Sequence, residues 1–130
     1  MATVAIDTAR LSNLVKHELW PETGFCRKEV IVNEAAAKTY VVGTVLGFDG
    51  TDYKISVETA VDGSEVPAAV VMADYSVAAT TDTQVLCLVK GPAEVSQDAL
   101  ALDASFDDNT KKAAAYAALE ALGINVLVTV

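Results

Sequence analysis

Leu11, Leu14, Val15 and Leu19 fall at i, i+3, i+4 and i+8, one apolar stripe of a helix, and Asp7 stands where a cap would. The spacing predicts a short helix ending at Leu19, because Pro21 restricts Trp20 and stops it. An isolated helix of this length is marginal in water. Residues 1–27 therefore read as an arm that orders against something else, while the pattern alone equally permits a helix packed on its own domain.

From Lys28 the pattern turns to β. Glu29 to Asn33 is short and rich in β-branched residues. Tyr40 to Leu46 reads as one buried strand, with Gly43 at a point where another backbone comes close. Asp49-Gly50 signals a tight hairpin. Tyr53, Ile55 and Val57 alternate with Lys54, Ser56 and Glu58, as in a half-exposed strand. Asp62-Gly63 is the next turn. Val66 to Ala73 and Gln84 to Val89 are apolar runs of strand length; Gly91-Pro92 ends the second and Ala93-Glu94-Val95 resumes it. Turns at this spacing suggest a small sandwich or barrel.

One helix is well marked. Asp107 and Asp108 precede an alanine-rich run to Leu122, and Gly123 sits where a helix-ending glycine belongs. Its apolar face is mostly small: Ala114, Ala115, Ala118, Leu119 and Leu122. Ile124 to Val130 then reads as a last strand tucked into a sheet. The predicted fold is mainly β with one principal α-helix (α+β), a compact sandwich or barrel-like domain over residues 28–130 behind an N-terminal arm over 1–27. Val45, Val70, Leu86, Leu88, Leu119 and Ile124 are its expected core.

Charge sharpens this division. The chain has 130 residues, 9 Lys and Arg against 18 Asp and Glu, and a net charge of −9. Residues 1–40 hold five bases and five acids, whereas residues 41–110 hold two bases and twelve acids. The neutral N-terminal segment, with the single Trp, is a candidate contact surface, and the acidic middle a candidate solvent face. An acidic chain of this kind does not suit direct nucleic-acid binding or an anionic membrane. Hydrophobic residues reach 52%, yet the longest apolar run, Val66 to Ala73, is far below the ~18–20 residues that span a bilayer. Asp7 and Arg10 interrupt any signal-peptide core, so no export is expected. High apolar content without a membrane segment points to buried subunit contacts.

Candidate chemistry is sparse. His17 is the single histidine, whereas a catalytic triad needs an imidazole base and catalytic zinc needs two or three such ligands. Cys87 lies in Val-Leu-Cys-Leu-Val and reads as core. Cys26 precedes Arg27 but has no identifiable base, and both cysteines are expected to be unpaired. Phe48-Asp49-Gly50-Thr51-Asp52 lacks the ligand set of a calcium loop. Gly43 to Gly47 lacks the Lys-Ser/Thr of a P-loop. No catalytic residue, metal or cofactor is expected, and an enzyme is not the reading.

Several segments taken in order resemble the lambda-type head decoration proteins of tailed bacteriophages. They are Cys26-Arg27-Lys28-Glu29-Val30-Ile31-Val32, Gly43-Thr44-Val45-Leu46-Gly47, Ala60-Val61-Asp62-Gly63, Ala68-Ala69-Val70-Val71, Asp82-Thr83-x-Val85, Val89-Lys90-Gly91-Pro92-Ala93-Glu94-Val95 and Ala118-Leu119-Glu120-Ala121-Leu122-Gly123-Ile124. Asp108-x-Thr110-Lys111-Lys112 is similar to the family's helix start. Cys26 stands where the family usually has serine, and Lys90 where arginine is common; neither swap threatens a packing role. Residues 1–25 match poorly.

The resemblance implies a structural virion protein, or cement protein. It implies a homotrimer on three-fold and quasi-three-fold sites of the expanded capsid, binding the major capsid protein and stabilising the shell against internal DNA pressure. It further implies a place on the outer surface of the virion, with assembly in the host cytoplasm and an arm that orders on the shell partly by strand addition. By analogy of position the capsid-binding residues are Leu11, Leu14, Val15, Leu19, Trp20, Phe25 and Arg27. Another phage component, such as a tube or fibre-base protein, is the alternative; a small ligand-binding β domain, which needs an internal polar pocket, is a more distant one.

Overall fold

The structure, a computed structural model, describes residues 14–20 and 23–128. These form β1 (Val15–Glu18), β2 (Arg27–Val32), β3 (Lys38–Tyr40), β4 (Val45–Phe48), β5 (Tyr53–Ile55), β6 (Pro67–Val71), β7 (Tyr75–Val77), β8 (Thr83–Leu88), β9 (Ala93–Ser96), α1 (Asn109–Ala121) and β10 (Ile124–Leu127). Five strands close a small barrel in the order β2-β5-β4-β6-β8. A three-stranded sheet, β1-β9-β10, stands beside it, and β3 pairs with β7. The expected mainly β fold with one helix is what the chain adopts.

Alternation along the strands decides which side chain enters which core. Val30 and Val32 on β2, Ala69 and Val71 on β6, and Val85 and Cys87 on β8 fill the barrel around Tyr40 and Leu46. Val70 and Leu88 point the other way, into a second core with Leu14, Cys26, Val95, Leu119 and Ile124. So β6 and β8 are covered on both faces, which is why they read as near-continuous apolar runs. Of the expected core, Leu86 alone is half-buried; its N–H donates to the Tyr75 hydroxyl at 3.0 Å. At one end of the barrel Glu34 is buried, its carboxylate accepting from the Tyr40 hydroxyl and from the Ile55 N–H at 2.9 Å. Burial and then the Glu34 bond push the Tyr40 hydroxyl far above its usual pKa.

α1 begins and ends as its sequence requires. Asp108 caps it by accepting from the Lys111 N–H at 2.8 Å, and Asp107 pairs with Lys111 one turn on, at 3.0 Å. Gly123 ends it at φ +89°, a conformation that costs glycine nothing. Ala115 and Leu119 are its buried residues, Ala118 and Leu122 are half-buried, and Ala114 is exposed.

Three expectations need correcting. The helix does not run through to Leu19: Leu14 is still helical, but Val15–Glu18 is a strand, antiparallel to β9 with Val15 opposite Val95 and Glu18 opposite Ala93. The apolar spacing is real, but a bulge between Val15 and His17 lets a strand bury Leu14 and Glu18 while Lys16 and His17 face water. Asp7 and Leu11 lie outside the described residues. Secondly, the described part of residues 1–27 is not free of the β domain: β1 belongs to the sheet of β9 and β10, and Arg27 opens β2. Thirdly, Tyr40–Leu46 is two strand ends and a turn. Gly43 is at φ +98°, and the Thr44 N–H and hydroxyl both reach back to the Val41 carbonyl. The close backbone approach expected there does exist: a Cβ on Gly43 would meet the Ala99 carbonyl oxygen at 2.0 Å.

Gly47 makes the same demand without an unusual φ, because its Cβ would lie 1.9 Å from the Ser64 carbonyl oxygen. Gly47→Ala must push the 62–66 turn off β4, and we expect a loss of about 1–3 kcal/mol. Urea unfolding checks it; a variant as stable as the parent would show that the turn yields freely.

Candidate protein-docking surface

The turn from β1 to β2 is tied to the segment that joins β8 to β9. The Leu19 N–H donates to the Pro92 carbonyl at 2.9 Å, and the Val89 N–H to the Cys26 carbonyl at 2.9 Å. The buried Cys26 thiol lies 3.7 Å from the Leu19 oxygen and 3.6 Å from the Pro92 oxygen. Trp20 takes φ +49°, which a residue with a Cβ adopts only when its surroundings impose it. Its carbonyl accepts from both the Thr23 N–H, at 3.1 Å, and the Thr23 hydroxyl, at 3.0 Å.

This frame holds a set of aromatic and basic groups toward solvent. Trp20 is 54% exposed and Phe25 38%. Their rings meet edge to face, with centroids 5.1 Å apart and planes at 78°. The Lys90 ammonium sits 4.1 Å from the Phe25 ring centroid. Such a ring pair contributes about 0.5–1.5 kcal/mol and an exposed cation over a ring about 0.5–1 kcal/mol. These contacts favour the observed arrangement of the two rings and the ammonium.

The same segment carries the Glu18–Arg27 ion pair. Arg27 Nε is 3.1 Å from each Glu18 carboxylate oxygen, and a second guanidinium nitrogen also bonds Oε1. The Glu18 side chain is 5% exposed and that of Arg27 28%. Hydrogen bonding to Glu18 raises the Arg27 pKa further, so the guanidinium stays charged throughout the working range.

Of the seven residues expected to touch a partner, Trp20, Phe25 and Arg27 gather on this surface. Leu14 is fully buried, and Val15 and Leu19 pack half-buried against the same core. In the chain itself these three pack β1 onto its own domain; Leu11 lies outside the described residues. Lys90, over the Phe25 ring, and the buried Glu18 that holds Arg27 were not anticipated. Glu18 and Arg27 are nine positions apart and Lys90 is far along the chain, so no local spacing signals them.

Reactive groups elsewhere are enclosed or isolated. Cys26 and Cys87 are free and buried, and burial pushes the Cys87 thiol up to about 12. His17 is exposed on β1, opposite Glu94. Among the described residues no three His, Cys, Asp or Glu side chains gather as a metal site.

The model of the bacteriophage lambda head decoration protein D family matches residues 7–124. The chain belongs to that family, and is a phage capsid decoration protein, a structural component of the virion head. Neither a search of curated proteins nor one of solved structures finds a match.

Removing Arg27 would leave the buried Glu18 carboxylate without its partner. Arg27→Ala should lower stability by about 1–3 kcal/mol, read by chemical denaturation. Glu18→Gln, which keeps a neutral acceptor facing the guanidinium, should cost less. Equal, negligible losses in both would show that the pair does not fasten β1.

Proposed function

We propose that the protein binds the expanded capsid from outside as a homotrimer, at three-fold and quasi-three-fold positions. There it clamps neighbouring major capsid subunits against internal DNA pressure, after assembly in the host cytoplasm. The Trp20–Phe25–Lys90 cluster is its anchor. The observation that carries this reading is the exposed aromatic pair on a chain whose family is the head decoration proteins. Aromatic and arginine side chains dominate binding energy in protein interfaces, and rigid ones lose little entropy on contact. The flanking bases also suit approach to a second protein. Lys90 is exposed in the cluster and Lys28 is exposed on β2, while residues 41–110 hold twelve acids against two bases.

In this reading residues 1–13 are the part of the N-terminal segment left to act as an arm on the shell. Three such contacts per trimer multiply weak affinities by avidity. Co-sedimentation with expanded and unexpanded shells of the cognate phage tests the proposal, with selective binding to expanded shells expected. Trp20→Ala should lower stability by no more than the ring pair's ~0.5–1.5 kcal/mol and stay folded, yet weaken shell binding about 30-fold, the size of a 2 kcal/mol hot spot. Undiminished binding would remove the cluster from the interface. Deleting residues 2–13 should likewise weaken binding while leaving the fold intact.

A further inference from the structure

The sheet β1-β9-β10 has two edges, and they are built differently. The β1 edge is blunted: a bulge interrupts it, and Lys16 and His17 stand exposed along it. Natural edge strands use such bulges and charges to refuse another strand. The β10 edge has none of these. From Ala121 to Val130 there is no charged residue and no proline, and among the described residues no strand pairs with its outer side.

The register shows which groups are free. β10 runs parallel to β9, with Ile124 opposite Ala93 and Val126 opposite Val95. The ladder opens with the Ala93 N–H donating to the Gly123 carbonyl at 3.2 Å. In a parallel pair alternate residues send both N–H and C=O to the same neighbour. Asn125 and Leu127 therefore bond β9, and Ile124 and Val126 turn their backbone groups outward. Val128, 74% exposed, is next in that outward series.

We infer that the outer edge of β10 accepts an extended, uncharged segment of the capsid shell protein, which adds as a further strand, main chain to main chain. The inference rests on the docking reading above and gives it a second contact. Two arguments select the shell as the occupant. Self-pairing of β10 with its copy would be isologous and close a two-fold dimer, which the three-fold assembly proposed above does not use. And the edge begins beside the aromatic cluster: Gly91, next to Lys90, lies so close to Gly123 that a Cβ on it would be 1.8 Å from the Gly123 oxygen. One partner surface can therefore reach both.

The test uses the full chain and expanded cognate shells. Val128→Pro removes an outward N–H at an exposed position without touching the β9 ladder; it should fold like the parent and bind shells about tenfold more weakly. Val128→Ala keeps the N–H and should bind like the parent. Hydrogen exchange during the bound state, read after release, should show new protection at Ile124, Val126 and Val128. Unchanged binding by Val128→Pro overturns the inference alone, as does equal weakening in Val128→Ala, which would mean a side-chain contact. Protection of the same amides in free protein, with a dimer in solution, overturns the choice of occupant. Parent protein that ignores expanded shells overturns the docking reading, and this inference with it.

Discussion

Burial of β6 and β8 on both faces sets the plan of the molecule. Each alternates between two cores, so neither strand has a face to give to solvent. The barrel covers one side. The other must be covered by something apolar, and the chain supplies β9, β10, α1 and the start of the described segment. Leu14 and Cys26 are fully buried in that second core, alongside Leu119 and Ile124. The β1–β2 turn is therefore part of the covering layer, held by the demand for apolar contact and not by its own propensity.

That arrangement also explains why an exposed Trp and Phe can be rigid. The turn carrying them is bonded to the β8–β9 connection at Pro92 and Val89, and that connection lies against the end of α1 through Gly91 and Gly123. Small residues at these contacts bring backbones to within hydrogen-bonding range of one another. The aromatic cluster thus stands on a base of main-chain hydrogen bonds, a firmer support than flexible side chains provide.

Local chemistry made some of this legible in advance. The Asp108 cap and Gly123 fixed α1 to within a residue at either end, because caps act through neighbours in sequence. Asp49-Gly50 gave the β4–β5 hairpin for the same reason: the Asp49 carboxylate accepts from the N–H groups of Thr51 and Asp52, and Gly50 takes φ +101°. What stayed hidden depends on distant partners. β1 carries a true helical stripe, but the edge of β9 offers backbone bonds that outweigh it. Tyr75–Val77 is too short to show a period, and its pairing with β3 is long-range. At the surface, Trp20 and Phe25 were recognisable as apolar groups without a core, whereas Leu14, Val15 and Leu19 look the same in sequence and go inside. Only the tertiary register separates the two sets.

The two enclosed thiols bear on how such a particle ages. A virion outside a cell meets dissolved oxygen with no reductase to reverse the damage, and oxidation proceeds through the thiolate at exposed sites. Cys26 is fully covered and Cys87 faces the barrel interior with its pKa at about 12, so at neutral pH almost none of it ionises. Both cysteine thiols are therefore shielded from cross-linking between copies. Packing that arose to fill two cores also leaves the coat chemically quiet during long storage in air.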